Sequence, residues 1–147
     1  MASFTVYLMR HGQAEGMHPS GDRARALTPE GRSQVTALGQ TLKGTVSITR
    51  VVCSPYVRAR QTADVMADVL GLSVREETVL ASGLSAGVEV LALARTLGQG
   101  VLLVGHNPEM ADALARVSGK GTGVPPGMMA AVQWDDHGVA SVLWTRL

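Results

Sequence analysis

The 147-residue sequence predicts an α/β fold: a mostly parallel sheet with helices on both faces and an antiparallel hairpin at the C-terminal end. Three observations lead there. Short apolar runs that read as strands alternate with longer segments of helical periodicity, the rhythm of a parallel sheet whose crossovers cover its faces. Runs such as FTVYLM (4–9) and VLLVG (101–105) are apolar without interruption, as expected of strands buried on both sides. The last quarter breaks the rhythm, because MMAAVQW (128–134) and VASVLW (139–144) flank DDHG (135–138), a strong hairpin signal.

The elements follow in order. Residues 4–9 form the first strand. Residues 27–44 carry a helix with Thr28 as N-cap, Pro29 at its first position, Val35, Leu38 and Leu42 at helical spacing, and Gly44 as its stop. RVVC (50–53) is a short strand. The segment 54–71 is the clearest helix: Ser54 caps it, Pro55 starts it, Val57, Ala63, Met66 and Leu70 make its apolar stripe, and Gly71 ends it. LSVRE (72–76) reads as a short strand, 81–87 as a loop, 88–98 as a helix and 101–105 as a buried strand. Residues 107–119 form a helix with Asn107 as cap and Pro108 at its start. The glycine-rich 120–127 segment is loop; GKGTG (119–123) has neither Walker spacing nor a following helix, so it is no phosphate loop.

Composition narrows the class. One domain, residues 1–147, is an ordinary size. Apolar residues make up 46% and aromatics only 3%, so the core is Val, Leu, Ala and Met. A net charge of +1, with 11 Arg and 2 Lys scattered along the chain, argues against a nucleic-acid partner. The single Cys53 excludes an intrachain disulfide and points to a reducing, cytoplasmic compartment. No signal peptide and no apolar window long enough to span a membrane are present.

In such sheets ligands bind beyond the carboxyl ends of the strands. The strand at 4–9 delivers Arg10, His11 and Gly12 to that edge. The strand at 50–53 leads to Ser54 and, one helical turn on, Arg58. The strand at 101–105 delivers His106 and a helix start. Two arginines, two imidazoles and two helix N-termini converge, with no obvious acid among them. That is the chemistry of a phosphoryl site, because helix N-termini favour anions and the guanidinium fork matches phosphate. Neutral imidazole is also a competent nucleophile near pH 7. Arg60, about 200° around the helix from Arg58, reads as a solvated residue, and His18 and His137 as ordinary exposed ones. The four histidines lack the spacing of a zinc motif.

The blocks LMRHGQAE (8–15), LTPEGRSQ (27–34), CSPYVRARQTA (53–63) and VGHNP (104–108) together resemble the histidine phosphatase superfamily, also called phosphoglycerate-mutase-like. The resemblance implies a three-layer α/β/α fold, a phosphatase that needs no metal or cofactor, His11 as the residue phosphorylated, Arg10 and Arg58 as phosphate holders and His106 as the second pocket histidine. Within the family the short chain is most similar to the bacterial SixA-type protein-phosphohistidine phosphatases, whose partner is a phosphohistidine-bearing domain. A small-molecule phosphate-ester phosphatase and a non-catalytic phosphate-binding module are the alternatives. The resemblance also exposes a gap. Acid phosphatases of the family place an Asp after the second histidine, where this chain has Asn107. Mutases place a Glu after the third strand, where this chain reads LASGLSAG (80–87). Glu76 and Glu77, just upstream, are the open candidates for a general acid.

Overall fold

The computed structural model describes residues 3–121 and 123–147. In chain order its elements are β1 (Phe4–Arg10), α1 (Pro29–Leu42), β2 (Arg50–Cys53), α2 (Val57–Leu70), β3 (Val74–Glu76), α3 (Gly87–Leu97), β4 (Val101–Gly105), α4 (Glu109–Ser118), β5 (Met129–Trp134) and β6 (Ala140–Arg146). Single 3-10 turns sit at Asp22–Ala24 and Thr78–Leu80.

The six strands form one sheet in the order β3-β2-β4-β1-β5-β6. β4 runs parallel to β1 on one side and to β2 on the other, and β3 is parallel to β2. β5 and β6 add the antiparallel pair, with β5 against β1. The carboxyl ends of β1, β2 and β4 are therefore neighbours, with β4 in the middle.

The uninterrupted apolar strands are divided between two helix layers by their two-residue period. Val6, Leu8, Leu103, Ala130 and Val132 face a core shared with Val90 and Ala94 of α3 and Met110 and Leu114 of α4. Their alternates Tyr7, Met9, Leu102, Val104 and Ala131 face Val35, Leu38 and Leu42 of α1 and Ala59, Ala63 and Met66 of α2. This gives the three layers expected. Among the described residues no helix is long and apolar enough to cross a membrane.

Several local expectations change. α2 begins at Val57, two residues later than expected, and Tyr56 rather than Ser54 is its N-cap residue. Ser54 Oγ accepts the Tyr56 N–H at 3.1 Å, a side-chain turn that precedes the helix. Val57 is consequently 36% exposed and off the stripe, which runs through Ala59, Ala63, Met66 and Ala67. α4 likewise starts at Glu109, after Asn107 and Pro108. Its N-cap residue is Pro108 rather than Asn107, although Asn107 Oδ1, one position earlier, accepts the Ala111 N–H at 3.2 Å. α1 keeps its cap: Thr28 Oγ1 accepts the Gly31 N–H at 2.9 Å. His18 is half-buried, its Nδ1 accepting the Ser20 N–H, while His137 is exposed. Of the glycine-rich 119–123 stretch, Thr122 lies outside the described residues.

The segment between β1 and α1 was the least legible in sequence. It leaves the site at Gln13 and returns to it at Thr28, closed by the Ala14–Leu27 bridge, by Glu15 N–H on the Ala26 carbonyl and by Thr28 N–H on the Gln13 carbonyl. α1 is pressed onto this closure through Gly31, where a Cβ would stand 2.2 Å from the Gln13 carbonyl oxygen. Gly31→Ala therefore forces α1 and the strand-end segment apart. The expected cost is about 1–3 kcal/mol of stability, read as a lower denaturant midpoint at unchanged m-value; an unaltered midpoint would show that the approach is not tight.

Candidate active site

The site is built on the three neighbouring strand ends. The backbone N–H of His11 donates to the Gly105 carbonyl at 3.0 Å, carrying the β1–β4 pairing one residue past the strands. This places His11 beside His106, ring centroids 5.2 Å apart. From the next strand end, α2 contributes Arg58 in its first turn, and Arg58 Nε donates to His11 Nε2 at 3.3 Å. Thr62, one turn further, ties the helix to the strand end: its hydroxyl donates to the Arg58 carbonyl and accepts the Gly12 N–H at 3.0 Å. Arg10, His11, Arg58 and His106 thus stand together, as their positions at strand ends predict. His11 is 6% exposed, Arg58 4% and His106 2%.

The hydrogen bonds assign the tautomer of His11. His11 Nδ1 lies 2.7 Å from the Gly12 carbonyl oxygen, which can only accept, so Nδ1 holds the proton and Nε2 presents a lone pair. His106 Nε2 lies 2.8 Å from Ser54 Oγ. That oxygen accepts from Tyr56 and still has both a proton to give and a lone pair to receive, so either tautomer of His106 is held by the contact. Ser54 is therefore more than a turn residue: it orients the second histidine.

Electrostatics keep both rings neutral. Burial pushes the His11 pKa down to about 4, helped by Arg58, Arg10 and Arg25 and opposed by the bond to Gly12. Burial, with His11 and Arg58 next, pushes His106 down to about 3. Arg10 is lowered from its ordinary value by burial and by the charges of Arg58 and Arg25, as expected of clustered cations short of a counter-anion.

Among the described residues, three buried side-chain atoms lack a hydrogen-bond partner: Arg10 Nε, His106 Nδ1 and Glu109 Oε1. Arg10 Nε is a donor, and His106 Nδ1 becomes one in the tautomer whose Nε2 accepts from Ser54; an oxyanion beside His11 would satisfy both. The surrounding donors are guanidiniums and neutral imidazoles, a set that fits phosphate rather than a divalent cation. Among the described residues no group of three His, Cys, Asp or Glu is placed to hold a metal.

Four contributors escaped the sequence reading. Asp22 accepts from Arg58 twice, through its carbonyl at 2.8 Å and its Oδ2 at 3.1 Å, and so places a carboxylate at the edge of the cluster. Hydrogen bonds from Arg25 first, then Arg58, hold its carboxyl below the usual carboxylate range. Tyr56 packs edge-on against His106 at 5.0 Å, with the guanidiniums of Arg23 and Arg58 each 5.1 Å from its ring. The Val124 carbonyl, in the glycine-rich loop, accepts from Arg10 at 3.1 Å and from Asn107 at 2.9 Å. Glu109 anchors the 81–86 loop by accepting the Gly83 N–H at 2.8 Å. Asp22, Val124 and Glu109 have no motif to announce them, and Tyr56 lies within the CSPYVRARQTA block without a role of its own there; each acts through a long-range contact. The two suspected acids are engaged elsewhere, Glu76 with Arg60 at 3.2 Å and Glu77 with Arg75 at 3.3 Å.

A family model of the histidine phosphatase superfamily (branch 1) matches residues 6–82, which span β1 through β3 and include Arg10, His11 and Arg58. The chain belongs to the histidine phosphatase superfamily. It is 30% identical to a phosphohistidine phosphatase SixA homolog of Haemophilus influenzae, over 90% of this chain and 89% of that one. It is also 30% identical to the phosphohistidine phosphatase SixA of Escherichia coli, over 95% and 91% of the two chains. A solved structure of the protein histidine phosphatase SixA complexed with tungstate superposes with a TM-score of 0.82 at 27% identity, covering 97% of this chain and 96% of that one. The protein is a phosphatase of the α/β architecture these relatives share.

The buried imidazoles make stability depend on pH. Unfolded, both histidines titrate near 6.5; folded, at about 4 and about 3. Between those values the unfolded chain binds more protons, so stability rises with pH and is lost as pH falls below 6.5. The expected slope from pH 6.5 toward 4.5 approaches about 1.4 kcal/mol per pH unit for each histidine. Urea midpoints across that range measure it, and His106→Gln should lose about half the slope.

Proposed function

We propose that the protein hydrolyses phosphohistidine carried on a partner protein, through a phosphoryl group held transiently on His11 and without a metal. The observation that carries this reading is the neutral, correctly tautomeric His11 beside two buried nitrogens, of Arg10 and His106, that lack a partner. The relatives named as phosphohistidine phosphatases support it.

In the first step His11 Nε2 attacks phosphorus while the bond to the leaving group breaks. The lone pair it uses is the one that Arg58 Nε now contacts at 3.3 Å, at the long end for a hydrogen bond and so readily exchanged for a phosphoryl oxygen. Arg10 Nε, the Arg58 guanidinium and His106 Nδ1–H then surround the transferring group. Catalysis here is mainly positioning and charge neutralisation, as phosphoryl transfer requires. In the second step water attacks phospho-His11 and the P–N bond breaks. The imidazole departs neutral because Nδ1 keeps its proton on the Gly12 carbonyl, and the proton of water leaves with phosphate.

The leaving group decides the substrate class. Alkoxides leave poorly unless protonated as they depart. The carboxylate nearest the cluster, Asp22, is held ionised by two arginines and so is a poor acid near neutrality. A protonated phosphoimidazole needs no such donor, since it departs as neutral imidazole.

The expected order of kcat/KM is phosphohistidine on a protein domain, then an activated aryl phosphate, then alkyl phosphates. An alkyl ester that is best by tenfold or more would move the assignment to a small-molecule phosphatase. His11→Ala should abolish turnover and the acid-labile label that wild type acquires from a labelled phospho-donor. A wild type that binds the phospho-donor but acquires no acid-labile label and shows no turnover would favour a binding module. Arg58→Lys should cost about a hundredfold, about 2.7 kcal/mol, because a point charge replaces a planar fork. Activity lost to EDTA and restored by a divalent ion would overturn the metal-free mechanism.

A further inference from the structure

Asp22 sits at the mouth of the site, on the 3-10 turn of the closed segment between β1 and α1, with its side chain 54% exposed. A carboxylate is unwelcome beside a dianionic phosphoryl group, which it repels. Holding Arg58 does not explain the charge. The backbone carbonyl of Asp22 already accepts from Arg58 at 2.8 Å, shorter than the 3.1 Å bond to the carboxylate. Oδ1 is engaged by Arg25 at 2.8 Å, whereas Oδ2 has Arg58 alone and keeps acceptor capacity toward the open side.

We propose that Asp22 is a specificity residue, whose carboxylate accepts the distal N–H of the departing imidazole when the phosphoryl donor is a phosphohistidine. This rests on the phosphohistidine reading above. Arg58 carries the geometric argument. Its Nε faces His11 and its NH2 faces Asp22, so the guanidinium that grips the phosphoryl group lies alongside the path from nucleophile to carboxylate. The two contacts and the width of a guanidinium put Asp22 Oδ2 within about 9 Å of His11 Nε2. An in-line transfer puts phosphorus and one five-membered ring beyond His11 Nε2, and within that limit the far nitrogen of the ring can reach the carboxylate at a hydrogen-bond distance of about 2.8 Å.

The chemistry balances. The donor ring enters protonated on its distal nitrogen and hence cationic. Asp22 favours that form by accepting the N–H. The His11 Nε2 pair forms the new N–P bond, the old N–P pair falls to the donor nitrogen, and the ring leaves as neutral imidazole with its distal proton in place. Gly12 does the same for His11 in the second step: each imidazole keeps its far proton on a fixed oxygen while its near nitrogen gives up phosphorus. Aryl and alkyl donors offer no N–H to Asp22.

The test compares kcat/KM for a phosphohistidine-bearing protein domain and for an aryl phosphate, in wild type, Asp22→Asn and Asp22→Glu. The amide of Asp22→Asn keeps an oxygen acceptor and the backbone bond to Arg58 but not the charge. The expected result is that the phosphohistidine-to-aryl ratio falls at least tenfold in Asp22→Asn and recovers in part in Asp22→Glu. A ratio that falls less than tenfold overturns the inference. Equal losses on both substrates would leave Asp22 as a holder of Arg58, and equal gains would make it a counter-ion that shields the empty pocket. Failure of the underlying reading looks different, since wild type itself would then prefer an ester.

Discussion

A single hydrogen bond, from His11 Nδ1 to the carbonyl of Gly12, governs what this site can do. It fixes the tautomer and leaves the lone pair on Nε2, and in the proposed mechanism it is where the proton stays when phosphorus leaves. Much of the fold serves to hold Gly12 still. Its N–H is bound by Thr62 of α2, Val35 of α1 packs closely over its Cα, and the following residue is pressed by Gly31. Strand end and both helices of one layer thus meet at one peptide unit.

Burial is the second constraint, and it acts against the charges around it. The same desolvation that keeps His11 and His106 neutral makes the guanidiniums of Arg10 and Arg58 strong anion ligands, because they are short of water as well as of counter-ions. Asp22 relieves part of that imbalance from the rim without entering the buried cluster. Cys53, by contrast, is withdrawn from chemistry. It is the last residue of β2, one position from Ser54, yet burial raises its thiol to about 12, so it packs as a small apolar residue.

The second histidine shows how an alternative structural role in sequence conceals a function. Ser54 reads as a helix cap, and a cap accounts for a serine there. In the structure the same oxygen accepts the Tyr56 N–H and contacts His106 across the β2–β4 boundary. One hydroxyl can do both because it has a proton to give and lone pairs to receive. The helix starts two residues later than a Ser54 cap would have it, and Arg58 rather than Val57 turns inward.

The layout was legible in the sequence because it rests on local rules. Period-two burial, Pro and capping residues at helix starts, and uninterrupted apolar strands mark the alternation, and the carboxyl-end rule then lines up Arg10, His11, Arg58 and His106. What only the tertiary structure decided rests on contacts between distant residues. The 13–27 segment has no periodicity, so nothing in it foretells that Asp22 would reach Arg58 across 36 positions. Val124 holds Arg10 across 114. The pKa of an imidazole likewise depends on how completely other elements cover it, and that coverage exists only once both helix layers have closed over the sheet.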